Sequence, residues 1–203
     1  MFLNFGTARA CLFAVFASLP FMCAAQTAPT AKWEASKLEN GTRYLSYHAS
    51  APQLGKPTPF MVNFFCYPFS TKTEKGMLGI EIYVDNVASL KPFKFDDFDG
   101  PDAATNGKKL LRITVNRPGK PPYVADTMLS GWTPGPKNFA FGTSAESQRA
   151  TSTEKTVLQA LAADAESLQL TITDPRNPKL KLEFSVPITE KRGEFKALLA
   201  GLK

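Results

Sequence analysis

The stretches FMVNFFCY, Phe60–Tyr67, and LGIEIYV, Leu78–Val84, decide the fold. In an extended chain Phe60, Val62, Phe64 and Cys66 share one side of the first, because side chains alternate faces along a strand. Leu78, Ile80, Ile82 and Val84 do the same in the second, with Glu81 on the opposite side. This period of two predicts two half-buried strands. The connection from Pro68 to Met77 is mostly polar, with Ser70, Thr71, Lys72, Thr73, Glu74 and Lys75. It is too short and too polar for a buried crossover helix, so the strands pair antiparallel.

Working outward, Thr42–Ala49 also alternates, with Leu45, Tyr47 and Ala49 against Tyr44, Ser46 and His48. Ala51–Pro59 holds three prolines and Gly55, which predicts a loop. Asn86–Gly107 has no period and is expected to be irregular. Lys109–Asn116 predicts a further strand. Pro118–Phe141 is dense in Pro and Gly. Its Gly131–Pro136 part is excluded from helix and central strand, since proline lacks a donor and glycine favours bends. Phe139 and Phe141 suit a short strand.

The period then changes. Thr151 followed by Glu154 has the spacing of a capping box. Val157, Leu158 and Leu161 predict a helix from about Glu154 to Asp164. Leu168, Leu170 and Ile172, a turn at Asp174–Pro178, and Leu182, Phe184 and Val186 predict a hairpin. Phe195, Leu198, Leu199 and Leu202 mark one face of a closing helix. The expected architecture is mainly β: an antiparallel β-sandwich of about seven strands with two short helices in the C-terminal third.

The chain has 203 residues. Met1–Ala25 has the order of an export signal: Arg9, then an apolar run from Cys11 to Met22, then small residues at Cys23–Ala25. No later segment has the length of a membrane span. The expected organisation is a signal at 1–25, a flexible start at 26–32 and one β-sandwich domain at 33–203, in the periplasm or secreted. Of three cysteines, cleavage leaves Cys66. Its place beside Phe60, Val62 and Phe64 predicts burial as a small apolar residue rather than redox chemistry.

The formal net charge is +6. The Lys and Arg residues are scattered among Asp and Glu instead of forming a stripe, which excludes a nucleic-acid footprint.

Motifs for catalysis are sparse. Ser152 and Lys155 have the Ser-x-x-Lys spacing, but helix capping accounts for the same residues. Asp96, Asp97, Asp99 and Asp102 have the composition of a Ca²⁺ site without EF-hand spacing. With Gly100 at the glycine position, Phe95 falls at the first ligand and Asn106 at the last. His48 is the single histidine, and nothing local frames it for a triad or a zinc site. No catalytic residue, cofactor or metal ligand is expected. Sixteen phenylalanines are many for this length. Phe93, Phe95, Phe98 and Trp132 stand in irregular context and are candidate contact residues; anchoring of the loops is the competing account.

The segment from Thr156 through the Leu168–Val186 hairpin to Leu202 resembles the C-terminal half of the invasion-associated locus B proteins. The shared order is helix, hairpin, then Gly-Phe and an Ala-Leu-rich helix. Here Glu194 stands between Gly193 and Phe195, and the family's paired cysteines have no counterparts. The resemblance implies an exported, β-rich protein of the bacterial envelope, linked in some members to host-cell entry, with no catalytic residues to carry over.

The expected function is non-enzymatic binding or an accessory role in the envelope, in host interaction or secretion. The expected partner is another protein or an envelope component. The alternatives are a hydrolase or lyase using carboxylates such as Asp96–Asp102 on an envelope polymer, and an inhibitor of a foreign hydrolase inserting the Trp132 loop.

Overall fold

The computed structural model describes residues 30–67, 76–100, 105, 107–147 and 151–200. The expected export segment, residues 26–29 of the expected flexible start, the 68–75 connection and Asp102 lie outside the described residues.

Ten strands form among the described residues: β1 (Lys32–Lys37), β2 (Arg43–Gln53), β3 (Lys56–Tyr67), β4 (Met77–Val84), β5 (Leu111–Arg117), β6 (Lys120–Thr127), β7 (Ser130–Gly135), β8 (Asn138–Glu146), β9 (Ser167–Thr173) and β10 (Lys181–Pro187). Two helices follow late in the chain, α1 (Thr153–Ala163) and α2 (Arg192–Ala200). The strands make two antiparallel sheets, β1-β2-β3-β4-β8-β7 and β10-β9-β5-β6. The fold is the expected antiparallel sandwich, with ten strands instead of about seven.

The three unforeseen strands, β1, β6 and β7, are all sheet edges. β1 exposes nearly every residue, so its sequence carries no alternation. Lys32 already belongs to it, which shortens the expected flexible start. β6 and β7 carry Pro121, Pro122 and Pro134, and an edge strand tolerates proline because one side has no ladder to feed. The β7–β8 register shifts between Trp132 and Gly135, next to that proline.

Ala51–Pro59, expected as a loop, is instead the tip of a long hairpin. Gln53 pairs with Lys56 across Leu54 and Gly55, whose φ angles of 48° and 77° make a left-handed two-residue turn. In an antiparallel pair, bonded and non-bonded positions alternate from such a closing pair. Ser50 opposite Pro59 and Pro52 opposite Pro57 then fall at non-bonded positions. The three prolines therefore cost the β2–β3 ladder no donor. The Pro59 carbonyl faces the other way and accepts from the Asp85 N–H at 3.1 Å.

The inner faces meet as the alternation predicts. Val62, Phe64, Ile80, Ile82 and Val84 from one sheet, and Leu111, Ile113, Leu170 and Phe184 from the other, are buried. Phe60 and Phe184 touch across the gap with ring centroids 5.1 Å apart. Cys66 is buried among them and free, and burial pushes its thiol up to about 11, against a smaller opposing pull from Arg43. α1 and α2 pack on each other and on the sheets, α2 placing Phe195 against Phe64 with centroids 4.9 Å apart.

The irregular segment after β4 plugs the core. Phe93, Phe95 and Phe98 are 4%, 8% and 1% exposed, and pack with Phe139 and Phe141 of β8. Phe93 and Phe98 stack with planes 7° apart. Buried Asp174 fastens this segment to the β9–β10 turn: its carboxylate accepts N–H bonds from Lys94, Arg176 and Asn177 at 2.8, 2.9 and 2.8 Å.

Candidate functional site

Strand alternation that sends the core residues inward sends a second set outward. On the outer face of the six-stranded sheet, the β2–β3 register sets Tyr44 opposite Phe65 and Ser46 opposite Asn63. The β3–β4 register adds Glu81 beside Asn63 and Gly79 beside Phe65. On β8 and β7, Gly142 stands beside Glu81 and Ser130, and Trp132 beside Ala140. Tyr44, Phe65, Tyr83 and Trp132 are all half-buried. An outer sheet face is ordinarily polar; this one carries four aromatic rings around one carboxylate.

Small residues make room for the rings. A Cβ on Gly142 would lie 2.9 Å from Cζ3 of Trp132, and one on Gly79 would lie 2.7 Å from the Phe65 ring. Trp132 also meets Tyr83 edge-on, with planes 88° apart. Glu81 is the polar centre. It accepts the Tyr83 hydroxyl at 3.2 Å and, at 3.5 Å, the Asn63 side-chain amide. Burial, with the nearby Glu81 charge, pushes the Tyr83 phenol up to about 12, and raises Tyr44 for the same two reasons. Asn63 is 8% exposed, and its Oδ1 has no donor among the described residues.

This face opens into a cleft of about 640 Å³ bounded by Phe65, Glu81, Trp132 and Gly142, the end of β8 and the start of α1. Pairing with β7 ends at Gly142, while β8 continues to Glu146. Beyond that point Thr143–Ala145 line the cleft, facing Met128–Ser130 and Thr151–Glu154. The side chains around it are rich in hydroxyls, and its ionisable residues among those described are Glu81 and Glu154.

Glu154 comes from the start of α1, where the expected capping box takes another form. Ser152 is the N-cap, its hydroxyl accepting the Lys155 N–H at 3.1 Å. Glu154 does not reach back to the cap. It turns inward, 6% exposed, and accepts the Thr143 hydroxyl at 2.6 Å. The Ser-x-x-Lys spacing of Ser152 and Lys155 is thus a helix cap.

A second cleft of about 760 Å³ lies between the two sheets, with β2 and Phe60 on one side and Ser167, Ser185 and Pro187 of β9 and β10 on the other. Its aromatic residues, Tyr47 and Phe60, belong to the buried core. It offers a ligand no free ring.

The other sequence candidates separate. Phe93, Phe95 and Phe98, expected as contact residues, are core plugs and leave no ring surface for a partner. Trp132 sits in the cleft, on a strand face and not at a loop tip. In the acidic group, Asp97 pairs with Arg176. Among the described residues no three His, Cys, Asp or Glu side chains cluster as metal ligands. His48 stands 30% exposed on β2, 3.2 Å from Glu34 of β1. Tyr44, Asn63, Phe65, Glu81 and Tyr83 were not singled out from sequence. Their signal was there: in FMVNFFCY both alternating faces carry large apolar residues.

Comparison with protein-family models, with curated proteins and with solved structures gives no match for this chain. No helix among the described residues is long and apolar enough to cross a membrane.

Proposed function

We propose that this chain is an exported, non-enzymatic binding protein of the bacterial envelope. It holds an envelope component in the cleft between Phe65, Glu81 and Trp132. One observation carries this: four half-buried aromatic rings ring a carboxylate on a sheet face that has no core to serve. Rings kept partly in water lose hydrophobic stabilisation, which a covering ligand restores. Mixed apolar walls with a few placed polar groups are the usual make-up of a ligand pocket. The order of residues in Met1–Ala25 supports the exported location, and the resemblance to invasion-associated locus B proteins supports the envelope.

The test is retention on washed envelope preparations. The wild-type chain is expected in the pellet and Trp132→Ala in the supernatant. Equal retention of the two removes this cleft from the function.

A second reading, a carboxylate-dependent hydrolase, draws on one observation: Glu81 and Glu154 line the same cleft. Paired carboxylates are the machinery of glycoside hydrolysis. Glu154, however, is turned onto Thr143 and buried, which suits a structural tie between β8 and α1. Release of new reducing ends from envelope polymers by the wild-type chain, lost in Glu154→Gln, would establish the hydrolase. Of the Asp96–Asp102 group, Asp97 is engaged by Arg176.

A further inference from the structure

We infer that the ligand of this cleft is a neutral carbohydrate chain; the inference rests on the binding role proposed above and names its substrate class. Three features of the cleft select the chemistry. The first is its rings. Trp132 and Phe65 stand on either side of Glu81, Trp132 held over Gly142 and Phe65 over Gly79. A pyranose has one face of C–H groups, which buries apolar surface against an aromatic ring as another ring would.

The second is hydrogen bonding. Ser130, Ser144 and Thr151–Thr153 surround the cleft with hydroxyls that donate and accept. Glu81 adds an acceptor. A polyol, with donors and acceptors on every carbon, matches such a wall.

The third is charge. The chain is net basic, yet among the described residues no Lys, Arg or His lines this cleft, while Glu81 and Glu154 do. Anionic polymers are therefore repelled at the point of contact. A small cation would leave most of a 640 Å³ space unfilled, and Glu81 already accepts from the Tyr83 phenol and the Asn63 amide. A chain of neutral sugar rings meets all three conditions.

The experiment is titration of the folded chain, by calorimetry and tryptophan fluorescence, with neutral hexasaccharides (cello-, chito-, malto- and manno-). An oligogalacturonate serves as the anionic control and choline as the cationic one. At least one neutral series is expected to bind with a dissociation constant of about 1 mM or tighter. Trp132→Ala is expected to weaken it at least tenfold, Trp132→Phe less, and the isosteric Glu81→Gln severalfold. Circular dichroism of each variant checks that the fold is kept. No binding of any neutral hexasaccharide at 10 mM overturns the inference. So does tighter binding of oligogalacturonate or choline, or equal binding by wild type and both Trp132→Phe and Glu81→Gln. The envelope assay separates the two levels: Trp132-dependent retention that survives enzymatic removal of glycans sinks the carbohydrate and keeps the binding role. Retention indifferent to Trp132 sinks both.

Discussion

The indole of Trp132 occupies the space that a side chain on Gly142 would need: a Cβ there would lie 2.9 Å from Cζ3 and 3.0 Å from Cη2. Gly142→Ala must therefore push the ring off the sheet. The cost of such overpacking is about 1–3 kcal/mol. Thermal unfolding is expected to shift down, with a red-shifted tryptophan emission and loss of envelope retention. Unchanged emission would show that the indole is not seated there.

Gln53 links the two sheets. Its side-chain amide donates to the Glu183 carbonyl, and its Oε1 accepts the Glu183 N–H at 2.8 Å. Both bonds are lost in Gln53→Ala, which also vacates a buried site. Denaturant unfolding is expected to show a loss of about 2 kcal/mol, the sum of two modest bonds and a small void. The envelope retention proposed for this chain is expected to persist, because the cleft lies elsewhere.

Asp174→Ala removes an acceptor from three backbone N–H groups at once. Bonds to a charged acceptor are the stronger kind, and the stranded donors are partly buried. A loss of about 3 kcal/mol is expected. Hydrogen exchange should show the 87–98 segment and the β9–β10 turn loosening together; protection unchanged in one of them would separate the two.

The Cys66 thiol, pushed up to about 11 chiefly by burial, gives a pH dependence of definite sign. Below about pH 8.5, the ordinary thiol value, folded and unfolded chains both keep the proton and the full stability is present. As pH rises toward 11 the unfolded chain releases it and the native chain does not, so stability falls. Tyr83, pushed up to about 12, extends the fall above pH 10. Denaturant midpoints are expected to drop between pH 8 and pH 10.5, less steeply in Cys66→Ala. At pH 8 the native thiol is expected to resist a thiol reagent that modifies the unfolded chain readily.

The body of this fold was legible because burial imposes a period. Phe60–Tyr67, Leu78–Val84, Leu168–Thr173 and Leu182–Val186 each bury one side, and each is a strand with that side inward. The edges were not legible. β1 buries almost nothing, and β6 and β7 carry prolines that argue against a strand unless one knows that no neighbour needs their donors. The Ala51–Pro59 hairpin failed for a related reason: the proline spacing matches the non-bonded positions, which depend on a register that only the turn fixes. For the site, Trp132 was within reach because an aromatic residue among glycines and prolines attracts notice. Glu81, Tyr83 and Phe65 were not, since each looked like an ordinary outward residue of its own strand. Register between strands, not pattern within one, brings them together.

The four rims of the two sheets share a further property. β6 carries adjacent Pro121 and Pro122, β7 bends at Pro134, and β10 has the Glu183 backbone already claimed by Gln53. β1 is six residues long, with Lys32, Glu34 and Lys37 along it. Each device denies an incoming strand a clean row of partners. Copies of this chain brought close together are therefore poorly disposed to pair edge to edge into fibrils.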